Sequence, residues 1–279
     1  MGDEHKPIVI VGGGAAGLLC AVLLSQWRRQ GIAASLPPVL LLERSKRFGG
    51  RIHTVRFSET ATGEAGGARF HSGHRLLQRL LRHYRLPVQQ IGGIGGLDPE
   101  LVRRVCAMPA STHSTLPLGH PDVAALQRQV GYSSEFVLSH GQEALRSLCH
   151  DLARSTYFIV KGGMSQLTAC LVRSAQKNGV VLRRQAEVTD LDLQRRSVRY
   201  WWRGEWHTQL AKRIVLATPA SVAERLCPAL RLDRHLAPGV LLRIYGVWNQ
   251  DQSNAAAEPW WSGLAKVSLG EPLGIFIPV

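Results

Sequence analysis

The feature that most limits how this chain can fold is a glycine turn set between two apolar runs. Ile8-Val9-Ile10-Val11 enters Gly12-Gly13-Gly14-Ala15-Ala16-Gly17, and Val39-Leu40-Leu41-Leu42 later ends on Glu43. Short, continuous apolar runs of this kind read as strands buried on both faces. Leu18 to Arg29 is apolar and then basic, as a helix nearing its C-terminus should be, and Gly31 is placed to stop it. Strand, glycine turn, helix and a second strand ending in a carboxylate make up the βαβ unit that receives a dinucleotide. Gly12 then permits the tight turn, Gly14 admits the backbone to a pyrophosphate, and Gly17 lets helix and strand pack closely. Ala15 and Ala16 lie at the positive end of the helix dipole, where amides receive phosphate. Glu43 stands at the strand tip, where a carboxylate can accept both ribose hydroxyls.

Other classes fit less well. Pro7 to Leu24 is nearly uncharged and about long enough to span a bilayer. Three consecutive glycines in its middle and a second run repeating the strand pattern argue for the nucleotide unit instead. A cleaved secretory signal fits poorly with Asp3 and Glu4 at the start. The five cysteines are scattered, with no Cys-x-x-Cys pair, which suits a reducing compartment and gives no metal site. His71 and His74 stand three apart without a nearby acid or thiol, so no metal is expected there. The formal charge of +14 is carried mostly by arginine, spread along the chain without a tail or long block. No nucleic-acid module accompanies it, so no specific nucleic-acid partner and no membrane span are expected. The cytoplasm is the default location.

A second constellation follows Glu43: Arg44-Ser45-Lys46-Arg47-Phe48-Gly49-Gly50-Arg51, and then Glu64-Ala65-Gly66-Gly67-Ala68-Arg69. Paired glycines followed by arginine suit a loop pressed against phosphate, with the guanidinium pairing to the anion. Further on, Ser165 to Ala175 has helical spacing, Val180 to Leu182 reads as a strand, and Glu187 to Trp206 reads as a β-meander turning at Gly204. Ile214-Val215-Leu216-Ala217 forms another apolar strand, closed by Thr218-Pro219. Between Phe70 and Lys161 the pattern becomes helical: His74 to Tyr84, Val123 to Val130, and Glu143 to Ala153, separated by glycine-rich and Ser/Thr/Pro stretches.

Taken in order, these pieces resemble the FAD-dependent amine oxidase family. The resemblance implies an α/β fold: a glutathione-reductase-like FAD-binding βαβ domain with a discontinuous α+β substrate domain. It places the first part of the FAD domain at 1–72 and helices of the substrate domain at 73–160. The second part of the FAD domain falls at 161–219, and substrate-domain strands at 220–279. It implies FAD as cofactor, held by the Gly12, Gly14, Ala15, Ala16 and Gly17 turn. Glu43 and Arg44 would lie at the adenosine ribose, and Gly50 and Arg51 at the pyrophosphate. Gly66, Gly67, Ala68 and Arg69 would line the flavin side, and Val188 would contact adenine through its backbone. The implied reaction takes hydride from the α-carbon of a small-molecule amine to flavin, with dioxygen reduced to hydrogen peroxide and the imine hydrolysed.

Two departures stand against the family pattern. The family's glycine-rich closing segment is not found before Val279, and Arg243 falls where the family places a lysine beside the flavin. Arginine keeps the charge but not the compact, tunable ammonium. No catalytic residue follows from the sequence. The alternative reading is a non-catalytic FAD-binding or interaction protein that retains the nucleotide half.

Overall fold

The computed structural model describes residues 6–59, 62–91, 98–111, 114–130, 136, 139–152, 156–230, 267–270 and 274–276. The elements run β1 (Ile8–Val11), α1 (Ala15–Arg29), β2 (Val39–Glu43), β3 (Thr54–Arg56), β4 (Thr62–Glu64), β5 (Arg69–His71) and α2 (Arg75–His83). Then come β6 (Val88–Ile91), α3 (Pro99–Cys106), α4 (Pro121–Val130), α5 (Gly141–Leu152), β7 (Tyr157–Val160) and α6 (Ser165–Lys177). The order closes with β8 (Val181–Arg184), β9 (Glu187–Asp192), β10 (Ser197–Trp202), β11 (Glu205–Leu210), β12 (Arg213–Leu216), α7 (Ala220–Leu226), β13 (Val267–Gly270) and β14 (Gly274–Phe276). By contact the chain divides into two units: Met1–Ala68, Leu81–Pro87 and Val160–Pro238 in one, Arg69–Leu80, Val88–Ile159 and Gly239–Val279 in the other.

The first unit is built on a four-stranded sheet in the order β12-β1-β2-β8, every pairing parallel. Every residue of β1 and the first four of β2 are buried, because both faces of the sheet are covered. Val9, Val11, Leu40 and Leu42 share one face and pack with Ala186, Val188, Val198 and Tyr200 of the β11-β10-β9 meander. By strand alternation Ile8, Ile10, Val39 and Leu41 face the other way. The buried stripe of α1, Gly17, Leu18, Ala21, Val22 and Ser25, matches a helix laid on a sheet, and α6 packs beside α1. The order of layers is therefore helices, parallel sheet, meander. The meander's tight turn, Trp202-Arg203-Gly204-Glu205, has positive φ at both central residues (52° and 83°), the hand that matches strand twist. The α/β class and the βαβ unit expected from the sequence are both present.

Between Phe70 and Lys161 the three expected helices are present, joined by α3 and by short strands that the sequence did not suggest. β5 pairs antiparallel with β7 (Phe70 opposite Phe158) in a three-stranded sheet ordered β5-β7-β6. Helices α3, α4 and α5 of the second unit close on a core of Leu101, Val105, Leu116, Val123, Leu126, Val130, Phe136, Ala144 and Leu145. Asp98 caps α3 by accepting the Glu100 amide, with Pro99 opening the helix. Arg104 of α3 forks onto Asp122 of α4 through two bonds of 3.0 Å. One expectation fails here. The cysteine pattern suggested reduced thiols, yet Cys106 is disulfide-bonded. Pairing depends on proximity in the fold, which spacing along the chain does not reveal.

Candidate functional site: the glycine nest at the carboxyl ends of the sheet

Three pieces of the first unit meet where β1, β2 and β12 end. The first is the turn itself. The Gly12 amide donates to the Leu42 carbonyl at 2.8 Å, and Ala217 beyond β12 donates to Val11 at 2.8 Å. Gly12 has φ +108°, and a Cβ there would stand 2.6 Å from the Ala217 carbonyl oxygen. A Cβ at Gly17 would strike the Gly12 carbonyl, so the first turn of α1 rests directly on the backbone of the strand exit. The helix starts at Ala15 with no side-chain cap and no acid in its first turn. Its positive end is left to whatever lies beyond it.

Glu43 closes this turn from the side. Its Oε2 accepts the Gly13 amide at 2.7 Å and its Oε1 accepts the Ser45 amide at 2.8 Å. Each carboxylate oxygen keeps a further lone pair, and two backbone donors fix the plane of the group. Gly13 is needed for this contact, since a Cβ there would lie 2.6 Å from Phe48 Cδ1 and 2.9 Å from Glu43 Cβ.

The second piece is the Gly49-Gly50-Arg51 loop, laid against the first. Gly49 donates to the Gly13 carbonyl at 2.8 Å, and a Cβ on Gly50 would come within 3.0 Å of Gly14 Cα. Arg47 holds the loop from inside, donating to the carbonyls of Gly50 (2.8 Å) and Ile52 (3.0 Å). Arg51 is exposed, and its guanidinium has no hydrogen-bond or ion-pair partner among the described residues. The Gly66-Gly67 segment lies on the backbone of that same arginine. Gly67 donates to the Arg51 carbonyl at 2.9 Å, and a Cβ on Gly66 would collide with it.

The third piece bolts the distant half of the unit to the first. Glu64 Oε1 accepts the Met164 amide at 2.6 Å and the Thr54 hydroxyl at 2.9 Å. Thr54 and Ser165 exchange bonds of 2.8 and 3.0 Å between amide and hydroxyl. The start of α6 is thus capped by residues a hundred positions earlier. On the other side, the Ala186 amide donates to the Glu43 carbonyl at 2.9 Å, which brings β9 beside the strand tip. Val188, two residues on, has its side chain in the core, opposite Tyr200.

Gly12, Gly14, Ala15, Ala16, Gly17, Glu43, Gly50, Arg51, Gly66 and Gly67 therefore lie on the start of α1, the tip of β2 and the adjoining loops, in mutual contact. Arg44 is exposed on the turn after Glu43, and Ala68 closes the segment after Gly67. Arg69 belongs to the second unit, its guanidinium 4.9 Å from the ring centre of Tyr157. Arg243 lies outside the described residues. Sequence reasoning missed Gly13, Arg47, Thr54 and Glu64, which shape the nest from within the protein. Gly13 stood inside the motif, Arg47 and Glu64 stood inside the two glycine segments without an assigned role, and Thr54 carried no recognisable spacing.

Two observations test whether a dinucleotide suits this place. A Cβ on Gly14 would meet only Gly50 Cα, at 3.9 Å, so protein packing leaves open the position where backbone must approach a phosphate. Thr218, beside the Gly12 turn, has a buried hydroxyl oxygen with no hydrogen-bond partner, an acceptor and donor awaiting a polar group. Both fit FAD.

Comparison with known proteins agrees. The FAD dependent oxidoreductase family matches residues 7–263. Among solved structures, a Pyrococcus furiosus protein superimposes with a TM-score of 0.59 at 16% identity, over 84% of this chain and 66% of that one. Putrescine oxidase bound to putrescine gives 0.56 at 18% identity, over 80% of this chain and 60% of that one. Cyclohexylamine oxidase from Brevibacterium oxydans IH-35A gives 0.55 at 16%, with the same coverages of 80% and 60%. The chain thus spans about two thirds or less of the length of these structures, and at such identity the likeness is one of fold. No curated protein matches. No described helix is long and apolar enough to cross a membrane. The family match covers nearly the whole chain and coincides with the nest just described, and the chain belongs to the FAD dependent oxidoreductase family.

Proposed function

We propose that the protein oxidises a small-molecule amine to the imine, using FAD held in the glycine nest and dioxygen as the final acceptor. The observation that carries cofactor binding is the doubled turn: two glycine loops in backbone contact, an uncapped helix start, and a carboxylate fixed by two amides at the strand tip. Choosing an amine as substrate rests on the order of motifs through Pro219, and two of the similar folds bear the names of amine oxidases.

In this reading, residues 1–72 and 161–219 form the FAD domain, and 73–160 and 220–279 the substrate domain. The α1 start and the Gly49-Gly50 loop receive the pyrophosphate, with Arg51 supplying the countercharge. Glu43 takes the ribose hydroxyls of the adenosine half, beside Arg44, and the Val188 backbone borders the adenine. Gly66, Gly67, Ala68 and Arg69 border the flavin half. When bound, FAD supplies the two-electron acceptor that no amino-acid side chain can provide. The protein's share is to orient it with a preformed nest, so that little ordering remains to be done on binding.

The test is direct. The purified full chain, passed through gel filtration with FAD, retains blue-light absorbance and quenches flavin fluorescence. With a panel of primary amines it then releases hydrogen peroxide. A yellow protein that yields no peroxide with any amine would remove the oxidase reading and leave FAD binding in place. A colourless protein that cannot be reconstituted would remove both.

A further inference from the structure

The helix α2 is not among the elements that form the glycine nest, and one face of it carries a row of exposed arginines. From Ala65 to Leu97 the sequence contains no Asp or Glu, while Arg69, Arg75, Arg79, Arg82 and Arg85 fall inside that interval. The flanking acids are committed elsewhere: Glu64 to Thr54 and Met164, and Asp98 to the cap of α3. At 3.6 residues per turn, Arg75, Arg79 and Arg82 fall within roughly 60° of arc, successive members about 4.5–6 Å apart along the axis. All three are exposed, and the side chains of Arg75 and Arg79 have no hydrogen-bond or ion-pair partner among the described residues. Leu76 stands beside this row, 81% exposed, while Leu81 on the opposite side is buried.

We propose that this face of α2 docks an acidic segment of a partner protein, with carboxylates meeting the arginine row and an apolar side chain covering Leu76. Guanidinium groups pair with carboxylates through two parallel bonds, and a row at helical pitch suits acids spaced along a partner helix. An apolar anchor rimmed by charge is the anatomy of a protein interface. A bilayer is the poorer occupant, because one exposed leucine offers too little area to enter it. A nucleic acid is poorer as well, because α2 carries no Phe, Tyr or Trp on which a base could stack. The proposal is independent of the FAD reading, since none of its residues is assigned to the cofactor.

The experiment must separate this surface from the general excess of positive charge. A fluorescein-labelled peptide of repeated Glu-Glu-Leu is titrated against the full chain by anisotropy, with flavin retention followed in parallel. R75Q/R79Q should weaken binding about tenfold, the loss of one well-made charged contact. R28Q/R225Q, which removes the same charge from exposed arginines elsewhere, should change it less than about twofold. L76S should weaken it by several fold. Equal loss in the two double variants, or no effect of L76S, would overturn the proposal. So would a single-stranded oligonucleotide or phosphatidylglycerol vesicles binding more tightly than the peptide and losing that advantage in R75Q/R79Q. Flavin retention should be the same in all variants, so a failure here is distinct from a failure of the cofactor nest.

Discussion

Gly17 and Gly67 differ in what a methyl group would cost them. At Gly17 it would run into the Gly12 carbonyl, inside the contact that seats α1 on β1, and neither backbone can yield without moving the strand exit. At Gly67 nothing lies within 4 Å. Gly17→Ala should therefore lower the melting temperature and abolish flavin retention, whereas Gly67→Ala should hold stability within about 0.5 kcal/mol. Any loss of flavin in Gly67→Ala would then report contact with the cofactor itself. Glu43→Gln is the sharper test of the nest. An amide at this position offers one oxygen where two backbone donors need two acceptors, so the Gly13 or Ser45 N–H meets an NH2 group. The expected cost is about 1–3 kcal/mol in stability and at least tenfold in FAD affinity, read by thermal melt and fluorescence titration.

Among elements, α6 has a start held by side chains a hundred residues earlier. Its leading Met164 and Ser165 amides bond to Glu64 and Thr54, so β3 and β4 perform the service usually done by a neighbouring Ser or Asp. Glu64→Ala should cost about 1–2 kcal/mol. The measurement is urea unfolding, and an unchanged midpoint would show that the cap contributes nothing. The α3–α4 pair offers a pH readout instead. Arg104 holds the Asp122 carboxyl below its usual 3.8, chiefly by the hydrogen bonds between them. A depressed folded pKa means the link stabilises above the unfolded value and fades as pH falls through the folded one. The melting difference between wild type and D122N should therefore be largest near neutrality and vanish in strong acid. Element by element, the sequence was most readable where a pattern repeats. The buried runs of β1 and β2 and the spacing of α1 and α6 appear within three residues of their expected ends. β3, β4 and β5 have three residues each, too few to show a period, and exist because of what they pair with. α3 could have been found, since Asp98-Pro99-Glu100 is a start signal that was passed over.

At the scale of the whole molecule, the turn and its carboxylate were legible because their chemistry is local. Thr54 and Glu64 were not, because their partners lie on distant segments, and Arg47 was not, because its bonds are to backbone carbonyls of its own loop and follow no motif. The same limit applies to Cys106, whose bonding state depends on a neighbour in space. Under denaturing, non-reducing conditions Cys20, Cys170 and Cys227 should alkylate, while Cys106 should react only after reduction. Peptide mapping by mass spectrometry reads this directly. In the native state Cys20 should lag, because burial raises its thiol pKa and leaves less thiolate.

The neighbour of β1 on one side is β12, two hundred residues later in the chain, and the Gly12 turn closes against Ala217. During synthesis residues 8–43 can form a helix and two strands, but the pocket they outline lacks a wall until that late strand emerges. With FAD in the nest as proposed, cofactor uptake should wait for that strand, and a ribosome stalled before Arg213 should carry a colourless nascent chain.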